Sequence, residues 1–174
     1  MSAELFEAID QHDGDRVLSL LRAGASPNDS SPDVPYWKPL EAAIEEMESG
    51  GSIDVVKALI EGGADVNAPG DHPKIISRLR PIHCAVFHGN LAAAKLLLEN
   101  GADPNVPTDD GNTALKWAAE NLDIPMIAAL LDAGADPEIL DAYNRAPRAY
   151  LPERDEQNSA RWKDAVALLH RHRK

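Results

Sequence analysis

The sequence has almost no cysteine: Cys84 is the only one among 174 residues. One cysteine cannot form an internal disulfide, and a free thiol suggests a reducing compartment. The sequence also lacks an apolar run near the ~20 residues that a membrane-spanning helix needs. Its start, MSAELFEAID, lacks the basic and then apolar pattern of a secretory signal. We therefore expect a cytoplasmic protein that does not enter a membrane.

Aromatic residues and positive charge are also scarce. Aromatics make up 5% of the chain, whereas alanine (27) and leucine (19) are abundant, which favours slim, closely packed helices over sheets. The formal net charge is −12. Residues 1–70 contribute −10 of it, from 14 acidic and 4 basic residues. A body of this charge repels phosphate, so we expect no nucleic-acid ligand.

Four similar segments recur along the chain. They are Gly24-Ala25-Ser26-Pro27-Asn28, Gly63-Ala64-Asp65-Val66-Asn67, Gly101-Ala102-Asp103-Pro104-Asn105 and Gly134-Ala135-Asp136-Pro137-Glu138. Their glycines are 39, 38 and 33 residues apart, and such a period is typical of stacked repeats. Each glycine follows an apolar helical run, where it can end the helix in the left-handed conformation. Pro39, Pro81 and Pro147 are each predicted to begin the first helix of a repeat.

Each unit resembles the ankyrin repeat, a turn followed by two antiparallel helices. The segment Asp110-Gly111-Asn112-Thr113-Ala114-Leu115 fits best, and Arg80-Pro81-Ile82-His83 stands where the family usually has T-P-L-H. The resemblance implies an all-α ankyrin-repeat solenoid of about five helix-turn-helix units in a single domain, 1–174. The expected units are residues 1–28 (amino-terminal cap), 29–67, 68–105, 106–138 and 139–174 (carboxyl-terminal cap). Threonine is missing from three of the four T-P-L-H sites, which removes a helix N-cap worth ~1 kcal/mol each.

Insertions interrupt the repeat pattern in four places. Residues 29–37 and 69–80 are expected to form extended finger loops between repeats 1 and 2 and between repeats 2 and 3. Residues 46–52 and 151–159 lie between the two helices of a repeat, where neutral growth and function are equally good interpretations. Within the first of these, Ser49-Gly50-Gly51-Ser52 is interpreted as a flexible turn. In the fingers, exposed apolar residues favour a function.

Ankyrin proteins generally bind partners through finger tips and a concave inner-helix surface. Carried over by position, this pattern predicts a partner-binding set that combines aromatic residues with acidic neighbours, as in protein interfaces. The predicted set is Val34, Pro35, Tyr36, Trp37, Glu45, Glu46, Ile76, Leu79, Phe87, His88, Asp109, Asp110, Asn112, Glu120, Tyr143 and Arg145. The alternative is that Phe87 and Tyr36 pack locally against neighbouring fingers.

No catalytic motif is present: the sequence has no G-x-S-x-G, phosphate-binding glycine loop or H-E-x-x-H. His83, Cys84 and His88 lie close enough to suggest a metal, but we interpret His83 and Cys84 as structural, because ankyrin repeats usually keep a histidine there that hydrogen-bonds a turn. Trp117 and Trp162 are interpreted as packing residues. We therefore expect no enzyme, cofactor or metal site.

Two kinds of binding protein remain. The first is a non-catalytic module, monomeric when free, that occupies a partner protein carrying a basic patch. A small acidic chain of this kind is similar in type to bacterial immunity proteins, which inhibit a toxin by covering it. The alternative is an adaptor or scaffold, including a host-directed ankyrin protein, that recruits partners into a complex.

Overall fold

A computed structural model describes residues 2–31, 37–70 and 79–171, and within these ranges the regular structure is helical. The α-helices are α1 (Ser2–Asp10), α2 (Gly14–Arg22), α3 (Pro39–Glu46), α4 (Ile53–Glu61), α5 (Pro81–Phe87), α6 (Leu91–Glu99), α7 (Ala114–Glu120), α8 (Ile124–Asp132) and α9 (Ser159–Arg171). Two short 3-10 helices occupy Met47–Ser49 and Pro147–Tyr150. The chain forms two compact units, Met1–Ala102 and Asp103–Lys174, called unit 1 and unit 2 below. The predicted all-α repeat fold is confirmed.

Unit 1 consists of three stacked helix hairpins. Helices α1, α3 and α5 form an inner row, and α2, α4 and α6 form an outer row, each helix contacting the next in its row. The core between the rows is aliphatic, and its largest fully buried side chains in unit 1 include Leu5, Ile9, Ile44, Leu59, Ile82 and Leu97. Alanines such as Ala8, Ala85 and Ala94 are also buried and allow the helices to approach closely. This packing explains the excess of alanine and leucine over aromatics.

Helix starts in unit 1 differ between the inner and outer rows. Outer helices begin at a polar cap: Asp13, for example, accepts a hydrogen bond from the Arg16 N–H at 2.9 Å. Inner helices α3 and α5 begin at Lys38 and Arg80, whose side chains have no acceptor. There the reverse bond forms, and the N–H of Arg80 donates to Nδ1 of His83 at 3.1 Å.

The one threonine at such a site, Thr113 before α7, makes no side-chain cap bond. The N-cap bond on which the predicted cost of losing threonine depends is therefore not formed at Thr113. The predicted helix stops are confirmed, since Gly24, Gly63, Gly101 and Gly134 all have φ between 88° and 96°.

A backbone hydrogen bond spans the base of each of the four finger loops. The donor and acceptor residues are Ser31 and Trp37 (2.8 Å), Gly70 and Leu79 (2.7 Å), Thr108 and Asn112 (3.0 Å), and Asp141 and Arg145 (3.0 Å). Measured between the donor and acceptor residues of these bonds, the first finger is two residues longer than each of the last two fingers, and the second finger is five residues longer. The α3–α4 hairpin is four residues longer than the α5–α6 hairpin, measured between helix starts. These additions account for glycine spacings of 39 and 38 rather than 33.

Unit 2 contains the α7–α8 hairpin, on which the carboxyl-terminal segment packs. The 3-10 helix at Pro147 contacts α7, and α9 contacts α8. Pro147 therefore begins a single 3-10 turn rather than the full first helix that its position predicts. The reason lies at Pro152, because a residue before proline is disfavoured in the helical conformation, and Leu151 has φ −56° and ψ 131°.

Candidate functional site

Four of the predicted binding residues, Val34, Pro35, Tyr36 and Ile76, lie outside the described residues. Trp37 and Leu79 are half-buried, and their carbonyl groups close the bases of the first two fingers. The carbonyl groups of Asn112 and Arg145 close the bases of the last two fingers in the same way. The tips described by the structure are those of the last two fingers, where Asp109, Asp110 and Tyr143 are exposed.

In unit 1, several predicted residues meet at the carboxyl ends of the inner helices. Phe87 ends α5 with 66% of its surface exposed, and its ring meets that of His88 edge-on at 5.3 Å. Glu45 and Glu46 end the neighbouring helix α3 and are half-buried. We call Glu45, Glu46, Glu48, Phe87 and His88 the acidic aromatic surface.

Two contacts between a histidine and a carboxylate join successive repeats at this surface. Nε2 of His12, in the α1–α2 turn, lies 3.3 Å from Oε2 of Glu46. Nδ1 of His88 lies 2.8 Å from Oε1 of Glu48, in the 3-10 helix that follows α3. Sequence reasoning named Glu46 and His88 but missed His12 and Glu48. A signal for these two residues was available in the sequence. His12 and Glu48 each lie in the connection between the two helices of a repeat, and Glu48 lies inside an insertion.

Carboxylates at this surface contribute to raised pKa values in two neighbouring groups, Asp10 and Cys84. Burial, and then the charge of Glu46, raise the pKa of Asp10, against an opposing effect of His12. Burial also raises the pKa of the Cys84 thiol, with further contributions from Glu41 and Glu45. A thiol held in its neutral form is a poor nucleophile and metal ligand, which agrees with a structural role.

In unit 2, the last two fingers are joined at their tips. The N–H of Ala142 donates to the carbonyl of Asp110 at 3.1 Å. Tyr143 follows with 73% of its surface exposed, and the guanidinium of Arg145 lies 4.8 Å from the centre of its ring. The structure thus brings Asp110, Tyr143 and Arg145 together on one face of unit 2.

The side chain of Asp141 fixes the backbone of this last finger through hydrogen bonds. Its Oδ1 accepts the N–H groups of Tyr143 (2.8 Å) and Arg145 (2.9 Å), and its Oδ2 accepts the hydroxyl of Tyr150. Burial alone would raise the pKa of Asp141, but these hydrogen bonds and the charge of Arg145 lower it below its usual value. Burial and the bond to Asp141 raise the pKa of Tyr150. Sequence reasoning missed both residues, although an aspartate opening a turn is a known capping pattern.

Glu120, also predicted, ends α7 in an ion pair with Lys116 at 2.8 Å. The same ammonium lies 4.4 Å from the centre of the Tyr150 ring. The i,i+4 spacing of lysine and glutamate was the signal available in the sequence.

The residues interpreted as structural are buried or bonded. His83 is 0% exposed, and Trp117 is 8% exposed. Trp162 is half-buried and donates its indole N–H to the carbonyl of Pro152 at 3.2 Å. Among residues 2–31, 37–70 and 79–171, no group of three histidine, cysteine or acidic side chains could hold a metal ion. In the same ranges no helix has the length and apolarity to cross a membrane.

Stacked helix hairpins joined by closed fingers define a helical-repeat protein whose exposed aromatics lie on finger tips and helix ends. A family model described as ankyrin repeats (3 copies) matches residues 48–141, a little over half of the chain. The chain belongs to the ankyrin-repeat family, and its repeats indicate a protein–protein interaction module. A search of curated proteins finds no significant match.

Proposed function

We propose that the chain is a non-catalytic inhibitor of the immunity type, which neutralises a basic partner such as a toxin by covering it. The partner would contact the acidic aromatic surface and the fingers of unit 1. The observation that carries this proposal is Phe87, which is 66% exposed and meets the ring of His88, whose Nδ1 lies 2.8 Å from the carboxylate of Glu48. In this proposal the chain acts in the cytoplasm and is monomeric when free, which agrees with its single cysteine and its charge of −12.

Phe87 and the carboxylates would have different roles in binding. An exposed phenylalanine costs solvation free energy in the free chain, and this cost is recovered when the ring enters an apolar pocket. Carboxylates at the rim attract a basic surface and accelerate its encounter. A partner with an apolar pocket inside a basic patch satisfies both requirements.

A second candidate is an adaptor that recruits one partner to another. Tyr143 in unit 2 favours it, since this ring is 73% exposed on a finger that Asp141 orders. An inhibitor needs one binding surface, whereas an adaptor needs two that act independently.

The first test is capture of the partner from native lysate, with identification by mass spectrometry, followed by Phe87→Ala alone and combined with Trp37→Ala. We expect the double variant to weaken partner binding by more than ~2 kcal/mol, because buried aromatics dominate interface energies. Leu140→Ala is a matched control, since Leu140 is another exposed apolar residue, 49% accessible, outside the proposed set. Circular dichroism should show unchanged helicity. Equal binding by the wild type and the double variant would remove this surface from the proposal.

Co-expression separates the two candidates. Rescue of cells from a toxic partner would support the inhibitor. A captured pair of proteins that remains active while bound to the chain would favour the adaptor, and Tyr143→Ala should then release one member of the pair only.

A further inference from the structure

The segment inserted between α3 and α4 is built into the structure of unit 1. Met47–Ser49 forms a 3-10 helix, after which Gly50 has φ 97°. The N–H of Gly51 donates to the carbonyl of Glu46 at 2.8 Å. A Cβ at Gly51 would lie only 2.7 Å from that carbonyl oxygen, so the turn requires glycine. The predicted turn at residues 49–52 is present, and its backbone conformation depends on glycine.

This segment reaches the next repeat with two side chains. Oε1 of Glu48 lies 2.8 Å from Nδ1 of His88, and Sδ of Met47 accepts the Asn90 amide at 3.0 Å. His88 and Asn90 form the α5–α6 turn directly after Phe87. The inserted segment thus links the end of α3 to the turn that follows Phe87.

We infer that Glu48 is a positioning residue for partner binding, which holds His88 and thereby the ring of Phe87 when His88 is protonated. This inference rests on the proposed binding role of Phe87. The Glu48 carboxylate fixes the imidazole at 2.8 Å, and the imidazole meets the Phe87 ring edge-on at 87° between planes. An edge-on ring pair constrains the orientation of both rings. The inserted segment therefore acts in recognition indirectly: Glu48 pairs with His88, and His88 orients the ring of Phe87.

The protonation state of histidine makes this arrangement dependent on pH. Histidine is the side chain that ordinarily changes charge between pH 5 and 8, and its pairing with a carboxylate is an ion pair only when it is protonated. The helices of unit 1 that pack against α5 are α3 and α6. Each of these elements carries charged or titratable groups. They are Glu41, Glu45, Glu46 and Glu48 in α3 and its 3-10 extension, His83 and Cys84 in α5, and Lys95 and Glu99 in α6. Carboxylates dominate on the α3 side.

The test compares Glu48→Gln with Glu61→Gln at pH 6 and pH 8. Glu61 is an exposed glutamate at the end of the outer helix α4, so its substitution makes the same change in net charge at another place. We expect Glu48→Gln to weaken binding of the captured partner about three- to tenfold at pH 6 and less than twofold at pH 8, because an imidazole forms an ion pair with a carboxylate only in its protonated form, which lower pH favours. Glu61→Gln should change binding by less than twofold at both values. In a His88→Gln background, Glu48→Gln should have no further effect.

A second readout needs no partner. In the free chain, nuclear Overhauser contacts between the rings of Phe87 and His88 should be strong at pH 6 and weaken in Glu48→Gln. Unchanged ring contacts in that variant, or an equal loss of partner binding at both pH values, would overturn the positioning role. Failure to capture any partner would count against the proposed function alone, and the ring contacts would still decide whether Glu48 orders Phe87.

Discussion

At the residue scale, the asparagine that ends each of the first three Gly-Ala-Asp-like segments links its repeat to the next. In unit 1, Asn28 donates to the carbonyl of Gly63 at 3.1 Å and accepts from the N–H of Asp65 at 2.8 Å. In unit 2, Asn105 makes the same pair of bonds to Gly134 (3.0 Å) and Asp136 (2.7 Å). One amide side chain can satisfy both a donor and an acceptor of the following repeat, which an ionised aspartate cannot do. The last such segment ends in Glu138, which instead pairs with Arg148 at 2.6 Å.

Replacing Asn105 by alanine should destabilise unit 2. Two hydrogen bonds between successive repeats are lost, and the expected loss in the free energy of unfolding is about 1–2 kcal/mol. Urea denaturation followed by circular dichroism measures it. Asn100→Ala serves as the control, because the Asn100 amide donates to the carbonyl of Leu96 in the helix that it follows, within one repeat. The linking role would be refuted by equal shifts in the two variants.

At the scale of the element, the last finger shows how a buried carboxylate orders an exposed loop. Asp141 has a side chain only 3% exposed, yet it accepts hydrogen bonds from two backbone N–H groups of its own finger and from Tyr150. Tyr150 in turn belongs to the 3-10 helix that replaces a first helix in the last repeat. The shortened helix therefore provides the hydroxyl that helps to position the exposed Tyr143.

This finger should make the stability of the chain depend on pH at the acidic end. Because the folded pKa of Asp141 lies below its usual value of about 3.9, its ionised form stabilises the fold above that pH, and this contribution is lost as the pH falls through the folded pKa. We expect the urea midpoints of the wild type and Asp141→Asn to differ most near pH 7 and to converge towards pH 3.

Tyr150→Phe removes only one of the donors to Asp141. It should give a smaller difference from the wild type with the same pH trend. A gap between wild type and Asp141→Asn that stays constant from pH 7 to pH 3 would show that the carboxylate charge does not matter.

At the scale of the whole molecule, charge is distributed unevenly along the chain. Residues 1–70 contribute −10 of the net charge of −12, and they include the carboxylates of the acidic aromatic surface. Most of these acidic groups are at least partly exposed, so their attraction for a distant partner acts through water and is screened by salt.

Association with a basic partner should therefore slow as salt rises. Between roughly 0.05 and 0.5 M NaCl we expect the association rate constant, measured by stopped flow, to fall by an order of magnitude or more, while the dissociation rate constant changes much less. An association rate constant that is independent of salt would argue against electrostatic attraction of the partner.

The repeat architecture could be predicted because its signals are local. A glycine after an apolar helical run, as at Gly63 and Gly134, reports the end of a helix in a few neighbouring residues. Pro39 and Pro81 mark helix starts in the same way. The prediction failed where a second local signal competed, since Pro152 limits the helix that Pro147 begins.

The candidate site was less accessible to sequence reasoning. Phe87 and Tyr143 were named by position in the repeat, and both have most of their surface exposed. Their role in binding stays a prediction, as does that of the four finger residues outside the described ranges. Glu48 and Asp141 were missed, because each acts on residues whose proximity depends on packing or on the closure of a loop.

The sequence by itself therefore determined the all-α repeat fold, the helix ends and the acidity of the amino-terminal part, since period, glycine position and charge are properties of the chain as written. Only the tertiary structure decided which side chains meet: Glu48 with His88 across two repeats, and Asp141 with Tyr150 beneath an exposed finger. These contacts depend on distances between segments that are far apart in the chain, and those distances are set when the helices pack.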